Sequence, residues 1–393
     1  MQLDFHYYAT YCASYIAGYT HRESLDICYS AQFVDCCTRT LLSKIGGPSS
    51  AATTQLQLEM MEARTDLVGL QDITRIWSSF HFLPRDLYAD IKKGSGIYKN
   101  KMRLICGPNS ALLEETVKLA SDSGLQAAGL AMHVLADTWA HRYFAGTPSL
   151  VINNTDNYFY ELIPEEGGMN ENRSFKERKL SFKHNPSEAD DIENGVYINT
   201  IFQLSENSVM SLGHGRAGHL PDYSFVRYKY LPAWGDYEEL VKDNPSDYYN
   251  AFCQMIYALK CLRSGEVFER DRYDREAAAP YEERIRQILE KRQRDSSLDW
   301  KTFGEELSGQ EIPDFDEELY QEDYKLAHYD QKEDTFLGKF IVAAMKQKSM
   351  VTNRIYKSGS LMAGYSIDYN EKGFGGIRDF KMLVRYAGRG VRK

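Results

Sequence analysis

One stretch constrains this chain more than any other: Met132-His-Val-Leu-Ala-Asp-Thr-Trp-Ala-His141. His133, Asp137 and His141 fall at i, i+4 and i+8. At 3.6 residues per turn that spacing drifts by only about 40° per step, so the three side chains form one stripe on one helix. Imidazole nitrogens and a carboxylate on a common face can share a divalent cation or bridge two. Gly129, Ala136 and Ala140 lie beside the stripe, and small neighbours let other helices bring their own ligands close. The alternative is a buried polar seam, with two core histidines hydrogen-bonded to one aspartate. An isolated H-x3-D pair fits that seam better. The three-member stripe fits a metal better.

A second cluster is Gly213-His-Gly-Arg-Ala-Gly-His-Leu-Pro-Asp222. Three glycines surround His214 and His219 and allow backbone to approach a ligand closely. Asp222 follows Pro221 and can fold back toward the histidines. Arg216 lies between them, and a guanidinium suits a phosphate oxygen. A glycine-rich turn carrying surface histidines is the plainer reading. Three further positions stand alone: His6 on the first helix, His81 among aromatics in Phe80-His-Phe-Leu-Pro, and Asp35 inside the apolar stretch Gln32-Phe-Val-Asp-Cys-Cys. A buried acid is costly unless paired or metal-bound, so Asp35 needs a partner.

The chain has 393 residues and a formal net charge of -9. That length predicts one large domain or two moderate ones. The acidic balance argues against a duplex-binding protein, which carries a basic face. The exception is residues 372–393, which hold Lys372, Arg378, Lys381, Arg385, Arg389, Arg392 and Lys393 against Asp379; they read as a solvated basic tail. Seven Cys without C-x-x-C spacing read as buried thiols of a reduced, cytoplasmic protein. No secretory signal is visible in Met1-Gln-Leu-Asp-Phe-His, and no apolar run of about 18 residues predicts a membrane span.

Helical patterns dominate. A first helix is predicted from about Phe5 to Gly18. A second runs from a Ser24 N-cap to Gly46-Gly47-Pro48. Alternation at Leu56, Leu58 and Met60, and in part at Ile76, Phe80 and Phe82, predicts a short hairpin between 54 and 83. Further helices are expected from Ser121-Asp122-Ser123 to Gly146, from Pro186-Ser187 to about Leu212, and from Pro245-Ser246 to Leu262. Residues 164–186 read as a long surface loop. The fold class is mainly α, a multi-helix bundle. Its expected units are a helical metal-binding catalytic domain at 1–264 and a charged helical extension at 265–393, packed on the core.

The order of these residues resembles a known family. An early His, an Asp, a second His, an H-x3-D helix with a His after it, and a late His with an acid are similar to the zinc-dependent phospholipase C fold, which zinc nucleases of single strands share. The stretches DFHYYATY, SAQFVD and HVLADTWAHRYFAG also resemble an uncharacterised bacterial family related to it at a distance. The likeness covers roughly residues 1–225. It implies that His6, Asp35, His81, His133 and Asp137 hold a close metal pair with Asp137 bridging, and that His141 and His214 serve a third ion.

Two departures stand out. The phospholipase family uses the amino group of a mature N-terminal Trp as a ligand. This chain carries Met1 there, so that ligand is expected to be missing, with Asp4 as its substitute. The family also has an acid four residues after the last His. Here that position is Gly218, leaving His219 or Asp222 to serve. Two zinc ions are therefore expected, a third is left open, and manganese and iron stay open as metals.

The function these readings predict is hydrolysis of phosphate esters by a metal-activated water, of phosphodiesterase, phospholipase or nuclease type. No nucleophile elbow, P-loop, dinucleotide fingerprint or Cys-His dyad competes with it. Arg216 is the candidate clamp on substrate. The rival reading is a metal-stabilised helical protein that binds partners without turnover. A redox carboxylate bundle predicts E-x2-H spacing, which the chain lacks. The substrate's class stays open, and neither a long nucleic acid nor a membrane surface is favoured by an acidic chain without an amphipathic basic helix.

Overall fold

The computed structural model describes residues 1–63, 67–91, 96–121, 123–153, 155, 158–165, 174–183, 188–199, 212–232 and 238–364. The basic tail, residues 166–173 and 184–186 of the predicted loop, and residues 186–187 and 200–211 of the predicted helix lie outside the described residues.

The fold is mostly helical. The chain opens with a π-helical turn at Asp4–Ala9 that continues into α1 (Thr10–Ile16). There follow α2 (His21–Phe33), α3 (Arg39–Ile45), α4 (Gln57–Ala63), α5 (Leu67–Phe80), α6 (Gly96–Met102), α7 (Ala111–Ser121), α8 (Leu125–Ala140) and α9 (Leu150–Asn153). The strands are β1 (Tyr160–Pro164), β2 (Phe175–Lys179), β3 (Ser181–Lys183), β4 (Val196–Ile198), β5 (Arg227–Tyr230) and β6 (Leu240–Asp243). The chain then forms α10 (Asn244–Ser264), α11 (Arg275–Ala278), α12 (Glu282–Glu290), α13 (Ser297–Ser308), α14 (Gln321–Leu326) and α15 (Phe336–Lys357). One antiparallel sheet has the order β2-β1-β5-β6, and β3 pairs with β4 in parallel. Among the described residues no helix is long and apolar enough to cross a membrane.

Several boundaries differ from the sequence-based expectations, each for a local reason. The long helix from Ser24 to Gly46 is two helices. Thr20, not Ser24, caps the first: its hydroxyl accepts from the Glu23 amide and the Glu23 carboxylate accepts from the Thr20 amide. Thr38 starts the second by accepting from the Leu41 amide at 3.0 Å, and Gly46 ends it at φ 71°. Asp35 falls in the break between them. The expected hairpin is α4 and α5 instead, because Ile73, Ile76 and Phe80 bury one helical face and outweigh the short alternation before them. The predicted helix after Pro186 is absent over residues 188–199, which form a turn and β4. The predicted loop contains β2 and β3 in its described part. The helix expected from 121 to 146 is α8 alone, which starts after Gly124 and stops at Ala140.

The core does not divide at residue 264. Phe5 packs edge-on against Tyr248 and Trp300, with ring centroids 4.9 and 6.0 Å apart. α15 contributes Leu337, Phe340, Ala344 and Val351 to the same apolar cluster as α2 and α8. A second cluster, including Phe82, Phe144, Phe159, Tyr228 and Tyr230, covers the inner face of the sheet. The C-terminal end of α8 lies between the two. There the buried Lys242 ammonium donates to the Trp139 carbonyl at 2.7 Å and pairs with Asp247, which satisfies an end carbonyl of the helix.

α2 and α8 touch at Gly129. A Cβ there would stand 2.2 Å from the Ile27 carbonyl oxygen and 2.7 Å from the Ser30 Cβ. Gly129→Ala is expected to force the helices apart and destabilise the protein by about 1–3 kcal/mol, the range for overpacking. Thermal denaturation reads this, and an unchanged midpoint would mean that the two helices do not pack this closely.

Candidate metal centre

The π-helical turn, the α2–α3 break, the segment after α5, α8 and the turn at 213–222 converge at one place. Each contributes side chains that the sequence makes chemically similar and that the fold brings together. His6 comes from the first turn, Asp35 from the break, His81 from the residue after α5, His133 and Asp137 from α8, His141 from just beyond its end, and His214 and Asp222 from the late turn.

Asp137 is at the centre and is 1% exposed. Its Oδ2 lies 3.2 Å from His81 Nδ1 and 3.2 Å from His133 Nε2. Its Oδ1 lies 3.2 Å from His6 Nε2 and 2.8 Å from the α-amino group of Met1. Asp35 Oδ1 stands 3.8 Å from His81 Nδ1 and 3.9 Å from His133 Nε2. On the other side, Asp222 reaches His141 Nε2 at 3.1 Å, His214 Nε2 at 3.5 Å and the Met1 amino group at 3.3 Å. Three groups here could hold a metal ion: His6, His133 and Asp137; Asp35, His81 and His133; and His141, His214 and Asp222, with the ligand atoms of each group within 4.8 Å of one another.

The imidazoles are oriented by main-chain carbonyls. His81 Nε2 donates to Thr53 O at 3.0 Å, His133 Nδ1 to Ala31 O at 2.9 Å, His141 Nδ1 to His81 O at 2.7 Å and His214 Nδ1 to Gly218 O at 2.8 Å. A carbonyl only accepts, so each bonded nitrogen carries the proton and the other ring nitrogen presents a lone pair. Metal-binding histidines are held in this way. The consequence is sharpest at His81 Nδ1 and His133 Nε2. They face each other at 3.3 Å, each with a lone pair, beside an oxygen of Asp137. Such an arrangement repels itself unless a cation or a proton sits within it. His6 adds a second sign: it is fully buried, and among the described residues neither ring nitrogen has a hydrogen-bond partner. A buried polar atom without a partner calls for an explanation, and a bound ion is one. By donor type and orientation the residues fit a divalent cation that takes imidazole and carboxylate ligands.

The electrostatics agree. Burial lowers His6, His133 and His214 to about 4 each, which favours the neutral imidazole at pH 7. Burial opposes the charge on Asp137 and Asp222. Nearby histidines and the Met1 ammonium outweigh it and hold both carboxyls well below the usual range. Burial raises Asp35. The Met1 amino group is pushed up to about 11, because Asp137, Asp222 and Asp35 outweigh the cost of its burial. A positive charge therefore already sits between Asp137 and Asp222, and a metal taking the amine as a ligand would displace its proton. Most of the cluster is sealed from water. Asp35, with its side chain 32% exposed, and His214, at 19%, form the open side.

Two assignments from the sequence change. Asp4 is not a substitute for the terminal amine. Its Oδ1 accepts from the Phe5 amide at 2.7 Å and its Oδ2 from the Ser296 amide at 3.2 Å, which commits it to bracing the first turn. The Met1 nitrogen, not Asp4, lies beside Asp137 and Asp222, at 2.8 and 3.3 Å. His219 is not brought to the cluster. Its Nδ1 pairs with Asp190 Oδ2 at 3.0 Å, alongside the Tyr223 hydroxyl at 2.6 Å, and half of its side chain is exposed. Asp222 is the acid that joins His214, because the short 3-10 turn Leu220–Asp222 folds it back. Arg216 is half-buried on the same turn, two residues after His214. The orienting carbonyls of Ala31, Thr53, His81 and Gly218 carry no side-chain signature and were not readable from the sequence.

His214→Ala is expected to lower bound divalent metal, whereas His219→Ala leaves it at the wild-type level. Elemental analysis of the two purified variants decides this, and the reverse pattern would return the third group to His219.

A search of curated proteins finds no match, and a search of solved structures finds none. A family model described as a family of unknown function, DUF6765, matches residues 1–355. With nine-tenths of its length inside that match, including every group of the histidine and aspartate cluster, this chain belongs to the DUF6765 family.

Proposed function

We propose that this protein is a metal-dependent hydrolase of phosphate esters. The observation that carries the reading is the convergence of oriented imidazole lone pairs on the buried Asp137 carboxylate. Two of the three candidate groups share His133, and Asp137 reaches into both: its Oδ1 lies beside His6, its Oδ2 beside His81 and His133. Zinc is the expected metal, with two ions among His6, Asp35, His81, His133 and Asp137, where His133 can ligate only one of them through its free Nε2, and with His141, His214 and Asp222 as the place for a third. Zinc bound by these residues would supply an activated water and charge stabilisation at a phosphoryl oxygen.

The chain's own residues do the rest. The carbonyls hold each imidazole in one tautomer and one orientation. Asp137 spans the groups with its two oxygens. Burial of His6, His133 and Asp137 keeps water away from the back of the site, so a substrate approaches past Asp35 and His214. Arg216 is the candidate contact for a phosphoryl oxygen on that side, where a planar guanidinium can take two oxygens. A cysteine nucleophile is disfavoured: burial raises all seven thiols above their ordinary values, which keeps them protonated.

A second reading has its own support. His6 and His133 are both 0% exposed, and structural zinc is closed by protein ligands where catalytic zinc keeps an open position. The protein would then be a metal-stabilised interaction protein. One experiment separates the two. Protein purified without chelator is analysed for metal, then assayed on a panel of phosphomonoesters, phosphodiesters, phospholipid and single-stranded nucleic acid. The hydrolase reading expects about two or more zinc equivalents, hydrolysis that a chelator abolishes and zinc restores, and loss of both metal and activity in Asp137→Asn. Zinc held tightly with no turnover on any class supports the structural reading, and a protein that takes up no divalent metal sinks both.

A further inference from the structure

The metal groups are built from residues before position 223, yet one of them is gripped from the far end of the chain. α15 passes behind His81 and presents two adjacent buried polar side chains. Lys348 is 9% exposed, and its Nζ donates to the Ala52 carbonyl at 2.9 Å. Gln347 is 2% exposed, and its Nε2 donates to the Ser79 carbonyl at 3.1 Å and contacts the Thr116 hydroxyl at 2.9 Å.

Both carbonyls flank the support of His81. Ser79 lies two residues before it, at the end of α5. Ala52 precedes Thr53, whose carbonyl accepts from His81 Nε2 and fixes which nitrogen faces Asp35 and Asp137. Thr53 is also fastened to the break that carries Asp35. Its amide donates to Cys37 O at 2.9 Å and its hydroxyl to Val34 O at 2.6 Å. The segment 51–54 is thus a strap joining the backbone beside Asp35 to the ring of His81, and Lys348 pins it.

Lys348 is a costly way to pin a strap if packing were the whole purpose. Among the described residues no carboxylate lies within ion-pair distance of it, and burial lowers it to about 7. An unpaired buried amine loses hydration that one carbonyl does not restore. Methionine at this position would fill similar space at no such cost. The lysine is explained if the placement of the Ala52 carbonyl matters more than stability.

We propose that Lys348, with Gln347, is a positioning residue for the metal group Asp35–His81–His133, acting through the 51–54 strap and the end of α5. This rests on the metal reading given above. It makes the C-terminal part of the chain a working piece of the centre.

The test uses the full chain, stripped with chelator and titrated with Co2+. Co2+ reports affinity and, through its visible absorption bands, ligand geometry. Lys348→Met is expected to leave the melting temperature of the metal-free protein unchanged or raised. It should also weaken the affected Co2+ site about tenfold, at the low end of the range for residues that orient ligands, with altered absorption bands. Gln347→Leu, the second variant, is expected to weaken the same site from the other side of His81, so the proposal stays testable if one variant does not fold. Wild-type Co2+ affinity and spectrum in both variants would overturn the positioning role. So would a loss of affinity that merely tracks a lowered melting temperature. Wild-type protein that binds no Co2+ would show that the metal reading itself had failed, and the positioning role would fall with it.

Discussion

The structure depends on one buried carboxylate. Asp137 is surrounded by His6, His81, His133, His141 and the Met1 amino group, and it is almost wholly out of water. A lone carboxylate in such a place would take up a proton. It stays ionised because positive charge and polar rings face it from several sides. Three of the rings, His81, His133 and His141, cannot rotate to avoid each other, because main-chain carbonyls hold them. The framework therefore points lone pairs and carboxylate oxygens toward one place.

That framework is spread over the whole chain. α8 carries two of the groups, and the glycine in its first half lets α2 come close enough for the Ala31 carbonyl to reach His133. The sheet and α10 hold the end of α8 through Lys242 and Asp247. Asp4 ties the first turn to Ser296, and α15 ties the strap beside His81. The described residues past 264 share the apolar core with the earlier helices.

Much of α8 was readable in advance. Its stripe follows from a local period, and the period is unchanged by tertiary context. The small residues beside it also kept their meaning. The failures were of two kinds. Short-range patterns compete, as at residues 54–83, where an alternation over five residues masks the longer helical spacing of α5. Caps were misplaced where two candidates lie close together, as with Thr20 and Ser24. Around Gly218 the sequence left His219 and Asp222 as equals, and the hydrogen bond from His219 to Asp190 separated them.

The sequence alone determined the chemical kind of the site: imidazoles and carboxylates in number, three of them placed on one helical stripe by spacing. Tertiary structure decided which of the rest joined that stripe, turned Asp4 away to Ser296, and put the Met1 amine between Asp137 and Asp222. It also chose the proton-bearing nitrogen of each oriented histidine. The reason is physical. A period is set by the bonds between neighbours and is written in the order of residues. The meeting of a ring with a backbone oxygen 28 or 102 positions away is set by packing, and a backbone oxygen is the same at every position.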